Sequence, residues 1–240
     1  MIKYHFIKET TSTNALLWQM LGENKLPEGF VLQTDFQTAG KGQIGNYWES
    51  MQGQNLLFSI LLFPRNIKPE EQFIISQLVS IAIKKCLDNY LDDITVKWPN
   101  DIYWKNKKLA GILIENSLQG AKINFAVVGI GLNVNQMVFE SDAPNPVSIK
   151  QILGRETAID ELKESICENI MHLFSNLDVE YIRTEYFKIL FWKNDYHTFS
   201  ENNNKFQAQI FDIHPDGKLE LETSNGEYRS FYFKEVKFEI

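Results

Sequence analysis

The sequence predicts an α+β protein with a small β-barrel at its C-terminal end. Three observations point there. Short apolar runs such as NLLFSILLF, residues 55–63, read as buried strands. Longer stretches repeat apolar residues at the spacing of one helix face. Beyond Asn194 the texture changes to short strands joined by PDG and SNG turns, the pattern of a compact β unit.

Residues 2–7 alternate enough to form a first strand. In ETTSTNALLWQML, Ser12 or Thr13 can cap a short helix whose apolar positions are Leu16, Leu17, Met20 and Leu21. GFVLQTDFQ is a strand entering a glycine-rich loop, and the 55–63 run leaves that loop until Pro64 stops it. From Pro69 to about Tyr90 the spacing predicts one long amphipathic helix, with Phe73, Ile74, Leu78, Ile81 and Leu87 inward. DITVKW, KLAGILIEN and INFAVVGIGLNV are three further strands. Residues 136–150, rich in proline, asparagine and serine, are loop, and helices over 159–177 and 179–192 follow. The main domain is thus expected over 1–194 and the β unit over 195–240.

Acidic side chains number 31 against 24 basic ones, a net charge of −7. That argues against a non-specific nucleic-acid binder, while leaving room for a local basic pocket for a small anion. The two cysteines, Cys86 and Cys167, lie far apart in apolar helix-like stretches, which suits buried reduced thiols better than a disulfide or metal ligands. None of the four histidines, His5, His172, His197 and His214, sits in a cluster, and no metal-ligand set is expected. The N-terminus has no apolar signal core, and the 55–63 run is too short to span a bilayer. A cytoplasmic protein with no membrane and no nucleic-acid partner is the expectation.

In TAGKGQIGNYWES, Gly40, Gly42 and Gly45 spell G-x-G-x-x-G. A dinucleotide fingerprint also needs a helix after the loop and an acidic residue about 20 positions on. Asn46, Tyr47 and Trp48 lead instead into another strand, and no Asp or Glu lies between Glu49 and Glu70. Without a helix N-terminus to hold a pyrophosphate, the dinucleotide reading fails. No P-loop string occurs either. What remains is a strand-to-strand loop with one cation, Lys41, and one large aromatic, Trp48.

A second motif gives this loop a context. In VKWPNDIYWKNKKLAGILIEN, Lys97 precedes a Trp-Pro pair that forces extended backbone, Asn100 and Asp101 occupy the turn, and Lys108 follows a short hairpin. A lysine at the end of an apolar strand is costly to bury unless an anion meets it. Two such lysines bracketing an asparagine and an aspartate suit phosphates and a metal beside a reacting carboxylate.

KWPNDI…KKLAGILIE resembles the signature of the biotin protein ligases, or biotin–[acetyl-CoA-carboxylase] ligases. The resemblance extends to TSTN at 11–14, QTAGKG at 37–42, GIGLNVN from Gly129 and the β tail. It implies a mixed β-sheet catalytic domain of class II synthetase/biotin ligase type and an SH3-like C-terminal β-barrel. It further implies that Ser12, Thr13, Asn14 and Gln37 hold biotin, together with Lys41, Gly42, Gln43, Lys108 and Gly111. Lys97, Asn100, Asn133 and Trp48 are placed with ATP, Trp48 closing the adenine side. Lys108, Asp101 and Lys41 carry catalysis, Asp101 by orienting or deprotonating the acceptor lysine. The implied reaction uses ATP and Mg²⁺ to make biotinoyl-5′-AMP, whose acyl group passes to a biotin carboxyl carrier protein domain of a carboxylase. Homodimers are possible. Many members read roughly G-R-G-R-R-G-R in the loop. Lys41, Gln43, Ile44 and Asn46 keep one cation here, so weaker retention of the adenylate is expected. The substrate motif begins at Thr11, which implies no helix-turn-helix domain and no regulation through DNA. Lipoate or other acyl ligation on the same fold, and a non-catalytic binding module, remain as alternatives.

Overall fold

The computed structural model describes residues 2–43, 45–141 and 145–240. Ile44 of the glycine loop and residues 142–144 lie outside the described residues. Seven strands form one sheet: β1 (Lys3–Thr10), β2 (Phe30–Gln37), β3 (Leu56–Leu62), β4 (Ile94–Lys97), β5 (Asp101–Trp104), β6 (Lys107–Gln119) and β7 (Lys122–Leu132). Their order is β1-β2-β3-β7-β6-β5-β4. Only β1 and β2 run parallel; the other neighbours are antiparallel, so the sheet is mixed.

The strand period of two divides the residues between the faces. Leu56, Phe58, Ile60 and Leu62 of β3 point to one face, with Ala126, Val128, Ile130 and Leu132 of β7. There they meet the aliphatic side of α2 (Phe73–Leu87), which also packs on α4 (Ile159–Ser175) and α5 (Val179–Lys188). The intervening residues point the other way. On that face α1 (Thr13–Glu23) covers one end, where Leu17 meets Phe30, Leu32, Leu61 and Val127, and Trp18 tilts against Phe125 at 4.7 Å. The rest of that face is left to the glycine loop.

Several elements differ in extent from the sequence reading. The first strand runs on to Thr10 because it pairs in register with β2 as far as Gln37. The long helix opens as a separate 3₁₀ turn over Pro69–Glu71, and α2 proper starts at Phe73. β5 is a strand of its own, so Asp101 lies in a ladder and not in a turn. The 136–150 segment ends in a short helix, α3 (Ile149–Leu153), entered through a capping box: Ser148 accepts from the Gln151 N–H and the Gln151 side chain accepts from the Ser148 N–H. α5 ends at Lys188, short of Trp192.

The expected C-terminal β unit is an antiparallel sheet of β8 (His197–Glu201), β9 (Asn204–Ile213), β10 (Leu219–Thr223), β11 (Tyr228–Phe231) and β12 (Lys237–Phe238), in the order β11-β10-β9-β8-β12. Its end strands do not pair with each other, so it is an open sheet and not a closed barrel. β12 is two residues long and is used up in pairing with Phe199 and Ser200. Phe199, Ile210, Leu219, Leu221 and Phe231 of this sheet belong to the same apolar cluster as α2. The Trp98 indole N–H donates to the Gly217 carbonyl at 2.9 Å, tying the sheet to the KWPN turn.

Candidate active site

The sheet register lays out the site. Leu57, Gly131, Gly111, Asp101 and Lys97 are successive partners across β3, β7, β6, β5 and β4, forming one row on the face away from α2. The next row on that face is Leu32, Ser59, Gly129 and Leu113, and beyond it lie Leu61, Val127 and Glu115. Three glycines at the centre leave a floor without side chains. The floor is covered closely. A Cβ at Gly131 would stand 2.4 Å from the Trp48 ring, one at Gly111 2.9 Å from it, and one at Gly129 2.4 Å from Asn14 Oδ1.

One end of the floor is a polar chain. Thr13 N donates to Gln37 Oε1 at 2.8 Å, Thr13 Oγ1 lies 2.7 Å from Ser59 Oγ, and Ser59 donates to Asn14 Oδ1 at 2.6 Å. Asn14 Nδ2 donates to Glu115 Oε2 at 2.8 Å and to the Leu113 carbonyl at 3.2 Å. Both hydrogens of that amide are therefore spent, and only Oδ1 retains capacity, as an acceptor. Ser12, Thr13 and Asn14 are each 3 % exposed, set by the first turn of α1.

At the other end Lys108 Nζ sits 2.7 Å from Asp101 Oδ1 and 5.7 Å from the centre of the Trp48 ring. Lys97 lies beside them, its ammonium 5.5 Å from the Tyr103 ring and 4.9 Å from the Phe238 ring of the C-terminal sheet. Burial pushes the Lys97 pKa down; Asp101 pulls it up and Lys108 presses it down further, leaving it below the ordinary lysine value. The backbone of Lys108 is clamped by the following loop: its N–H donates to Asn145 and its carbonyl accepts from Val147.

The glycine loop doubles back as a narrow hairpin. Gly42 N donates to Asn46 O, Trp48 N donates to Gly40 O, and Lys41 forms a bridge with Tyr47, its own side chain exposed. A Cβ at Gly40 would come within 2.6 Å of the Trp48 carbonyl, so only glycine allows this closure. Glu49 then fastens the stem, accepting from Gln136 Nε2, Glu140 N and Ser141 N at 3.2, 2.9 and 2.8 Å. Burial raises its pKa, but the hydrogen bonds from Ser141, Glu140 and Gln136 outweigh that and hold it below the ordinary glutamate value.

The structure thus brings Ser12, Thr13, Asn14 and Gln37 together at one end, and Lys108, Asp101, Lys97, Gly111 and Trp48 at the other. Trp48, expected at the adenine side, lies on the floor beside Gly111 and Lys108. Asn100 and Asn133 are turned into the framework: Asn100 Nδ2 donates to the Ile112 carbonyl and Asn133 Nδ2 to the Val147 carbonyl. Two buried polar atoms, Trp48 Nε1 and Asn133 Oδ1, have no hydrogen-bond partner among the described residues. Sequence reasoning missed Ser59 and Glu115. The signal was the single polar residue of the apolar strand β3 for Ser59, and for Glu115 the first polar residue after the apolar run LAGILI.

A hollow of about 880 Å³ is lined by Leu26, Phe63, Arg65, Phe125 and Phe174 at the far end of the sheet, while Trp48 fills the space above the glycines. Among the described residues no group of three or more His, Cys, Asp or Glu side chains could hold a metal, and no described helix is long and apolar enough to cross a membrane. Asp101, the carboxylate in the central row, is already engaged by Lys108, so these residues do not fit a resident metal ion.

Residues 6–133 match the model of the biotin/lipoate A/B protein ligase family. The chain belongs to that family. Relatives extend the match beyond this segment. The bifunctional ligase/repressor BirA of Bacillus subtilis is 28% identical over 236 residues, covering 93% of this chain and 70% of that protein. Biotin–protein ligase 1 of Arabidopsis thaliana is 36% identical over 117 residues, covering 47% of this chain and 31% of that protein. The chain therefore spans only part of these longer relatives. In fold it is similar to the Aquifex aeolicus biotin protein ligase in complex with biotin and ATP, with a TM-score of 0.79 at 21% identity and full coverage of both chains.

Proposed function

We propose that the protein is an ATP-dependent biotin ligase that forms biotinoyl-5′-AMP and passes the biotinoyl group to a lysine of a biotin carboxyl carrier protein domain. One arrangement carries the reading: a glycine floor with a hydrogen-bonded polar chain at one end and the Lys108–Asp101 pair at the other. A ligand with a polar head, an apolar middle and a carboxylate tail suits it. With the Asn14 hydrogens spent, Oδ1 selects an N–H donor, which the ureido ring of biotin has and the dithiolane ring of lipoate lacks. Ser12, Thr13, Asn14 and Gln37 hold the head. Gly111, whose missing side chain leaves room for the Trp48 ring, lines the site beside the chain, and Trp48 Nε1 offers a buried donor to an incoming acceptor.

In the first step a biotin carboxylate oxygen attacks the α-phosphorus of ATP, and pyrophosphate leaves. Lys108 faces the growing negative charge, Lys41, Gly42 and Gln43 fold over the product, and Lys97, Asn100 and Asn133 frame the nucleotide side. In the second step the acceptor amine attacks the acyl carbon and AMP leaves. Asp101 orients that amine or takes its proton. Covering the anhydride with the loop and Trp48 keeps water off it. Magnesium would enter chelated by the phosphates of ATP and would need no cage of protein carboxylates. Residues 1–194 form the catalytic domain in this reading and 195–240 the C-terminal domain. A homodimer is compatible with β1, a sheet edge whose side chains are mostly exposed.

The test is incubation with biotin, MgATP and an isolated carrier domain, followed by intact mass analysis. One biotinoyl group per carrier is expected. An unmodified carrier under conditions where a known ligase modifies it would refute the reading.

A further inference from the structure

We propose that Glu115, on β6, is the positioning residue for head-group selection: it turns the Asn14 amide so that Oδ1 is left to the ligand, and so sets the preference for a cyclic acid that brings an N–H donor. The inference rests on the reading above, in which the polar end of the floor takes a ureido ring.

The two ends of an asparagine amide are alike in shape and opposite in hydrogen bonding, so the neighbours decide which way it faces. Glu115 Oε2 lies 2.8 Å and the Leu113 carbonyl 3.2 Å from Asn14 Nδ2, while Ser59 Oγ lies 2.6 Å from Oδ1. The Ser59 hydroxyl both donates and accepts, so it would follow the amide if the amide turned over. A carboxylate and a backbone carbonyl can only accept, and they keep the nitrogen on their side. Of these two the carboxylate makes the shorter, charge-assisted bond, roughly twice as strong as a neutral one. Glu115 therefore fixes the orientation.

The surroundings give that orientation its weight. Asn14 is 3 % exposed, and its Oδ1 lies over Gly129, where a Cβ would stand 2.4 Å away. An amide in so narrow a space cannot swing aside, and turned over it would set N–H against N–H, leaving both donors without a partner. Glu115 itself shares its row of the sheet with Leu61 and Val127, both fully buried. A carboxylate in such company is costly unless a donor meets it, and the Asn14 amide is that donor. An apolar residue would pack there at less cost and would leave Asn14 free to turn.

The experiment compares wild type with Glu115→Leu, Glu115→Gln, Asn14→Asp and the double variant Asn14→Asp/Glu115→Gln in the full chain. It measures biotin Kd by calorimetry, KM for ATP and melting temperature. Glu115→Leu should weaken biotin binding about ten- to a hundredfold and leave KM for ATP within about twofold of wild type. Glu115→Gln can still present a carbonyl to Nδ2 and should bind biotin within about threefold of wild type. Asn14→Asp sets a second carboxylate against Glu115 and should lose as much as Glu115→Leu. Adding Glu115→Gln to it restores a donor and an acceptor across the pair, and should recover about tenfold of that loss. A purely structural role predicts no such recovery. Unchanged biotin affinity in Glu115→Leu, a loss shared by KM for ATP and melting temperature, or a double variant no better than Asn14→Asp would overturn the assignment while leaving the ligase reading intact. Should Glu115→Leu fail to fold, the comparison of Asn14→Asp with the double variant decides alone. A wild type that binds no biotin would overturn both.

Discussion

The two faces of the seven-stranded sheet are built from the same strands and do opposite things. On the α2 face Leu56, Phe58, Ile60 and Leu62 of β3 and Ala126, Val128, Ile130 and Leu132 of β7 are all apolar and buried. One residue away, on the other face, the same strands present Ser59, Gly129 and Gly131. Close packing makes the first face rigid. The second trades that packing for a flat floor on which Trp48 and Asn14 rest. A single strand period thus supplies both the support and the site.

The comparison can be broken from either side. The largest effect is expected on the packed face. Phe58→Ala removes a fully buried ring and should cost about 3–5 kcal/mol of stability in denaturant unfolding. Activity per folded molecule should be nearly unchanged. On the open face Gly131→Val should do the reverse. Its side chain would collide with the Trp48 ring, lift it from the floor and lower adenylate formation by about 100-fold, with little change in melting temperature. Equal stability losses for the two variants would erase the distinction between the faces.

Lys97 sharpens the contrast at the edge of the site. Its pKa is held below the ordinary lysine value by burial, so the unfolded chain binds that proton more readily than the folded one. At neutral pH the charge therefore opposes folding, and the cost fades as pH rises toward lysine's ordinary range. Lys97→Met should raise Tm by about 2–4 °C while raising KM for ATP. A variant that loses both stability and ATP affinity would contradict this.

The smallest effect concerns the stem. Glu49 is held below its ordinary value, so its contribution is fully present above the usual glutamate range and is lost as pH falls below that range through the lowered folded-state value. Glu49→Gln should make the glycine loop more sensitive to limited proteolysis at neutral pH. Wild type should gain the same sensitivity on acidification. An unchanged cleavage rate would show that the stem is held by backbone contacts alone.

Much of this was legible in the sequence, and the remainder was illegible for physical reasons. Glycine spacing, TSTN and KWPND are local strings, and they led to the floor cover, the polar chain and the Lys108–Asp101 pair. Ser59 and Glu115 sit in apolar runs that read correctly as strands, but which face each occupies is decided by register with distant strands. β5 is four residues long and looked like part of a turn. The capping box before α3 is a local signal, present in the sequence as Ser148 and Gln151 and masked by the loop-like composition around it.

The central claim is that the polar end of this floor reads a ureido ring and that Lys108 meets the activated carboxylate. The most direct measurement is a quenched reaction of the purified protein with MgATP and no acceptor, analysed by mass, with biotin and lipoate in parallel. Biotinoyl-AMP from biotin and no adenylate from lipoate is the predicted result. Adenylate from lipoate alone, or from neither acid, would contradict the account.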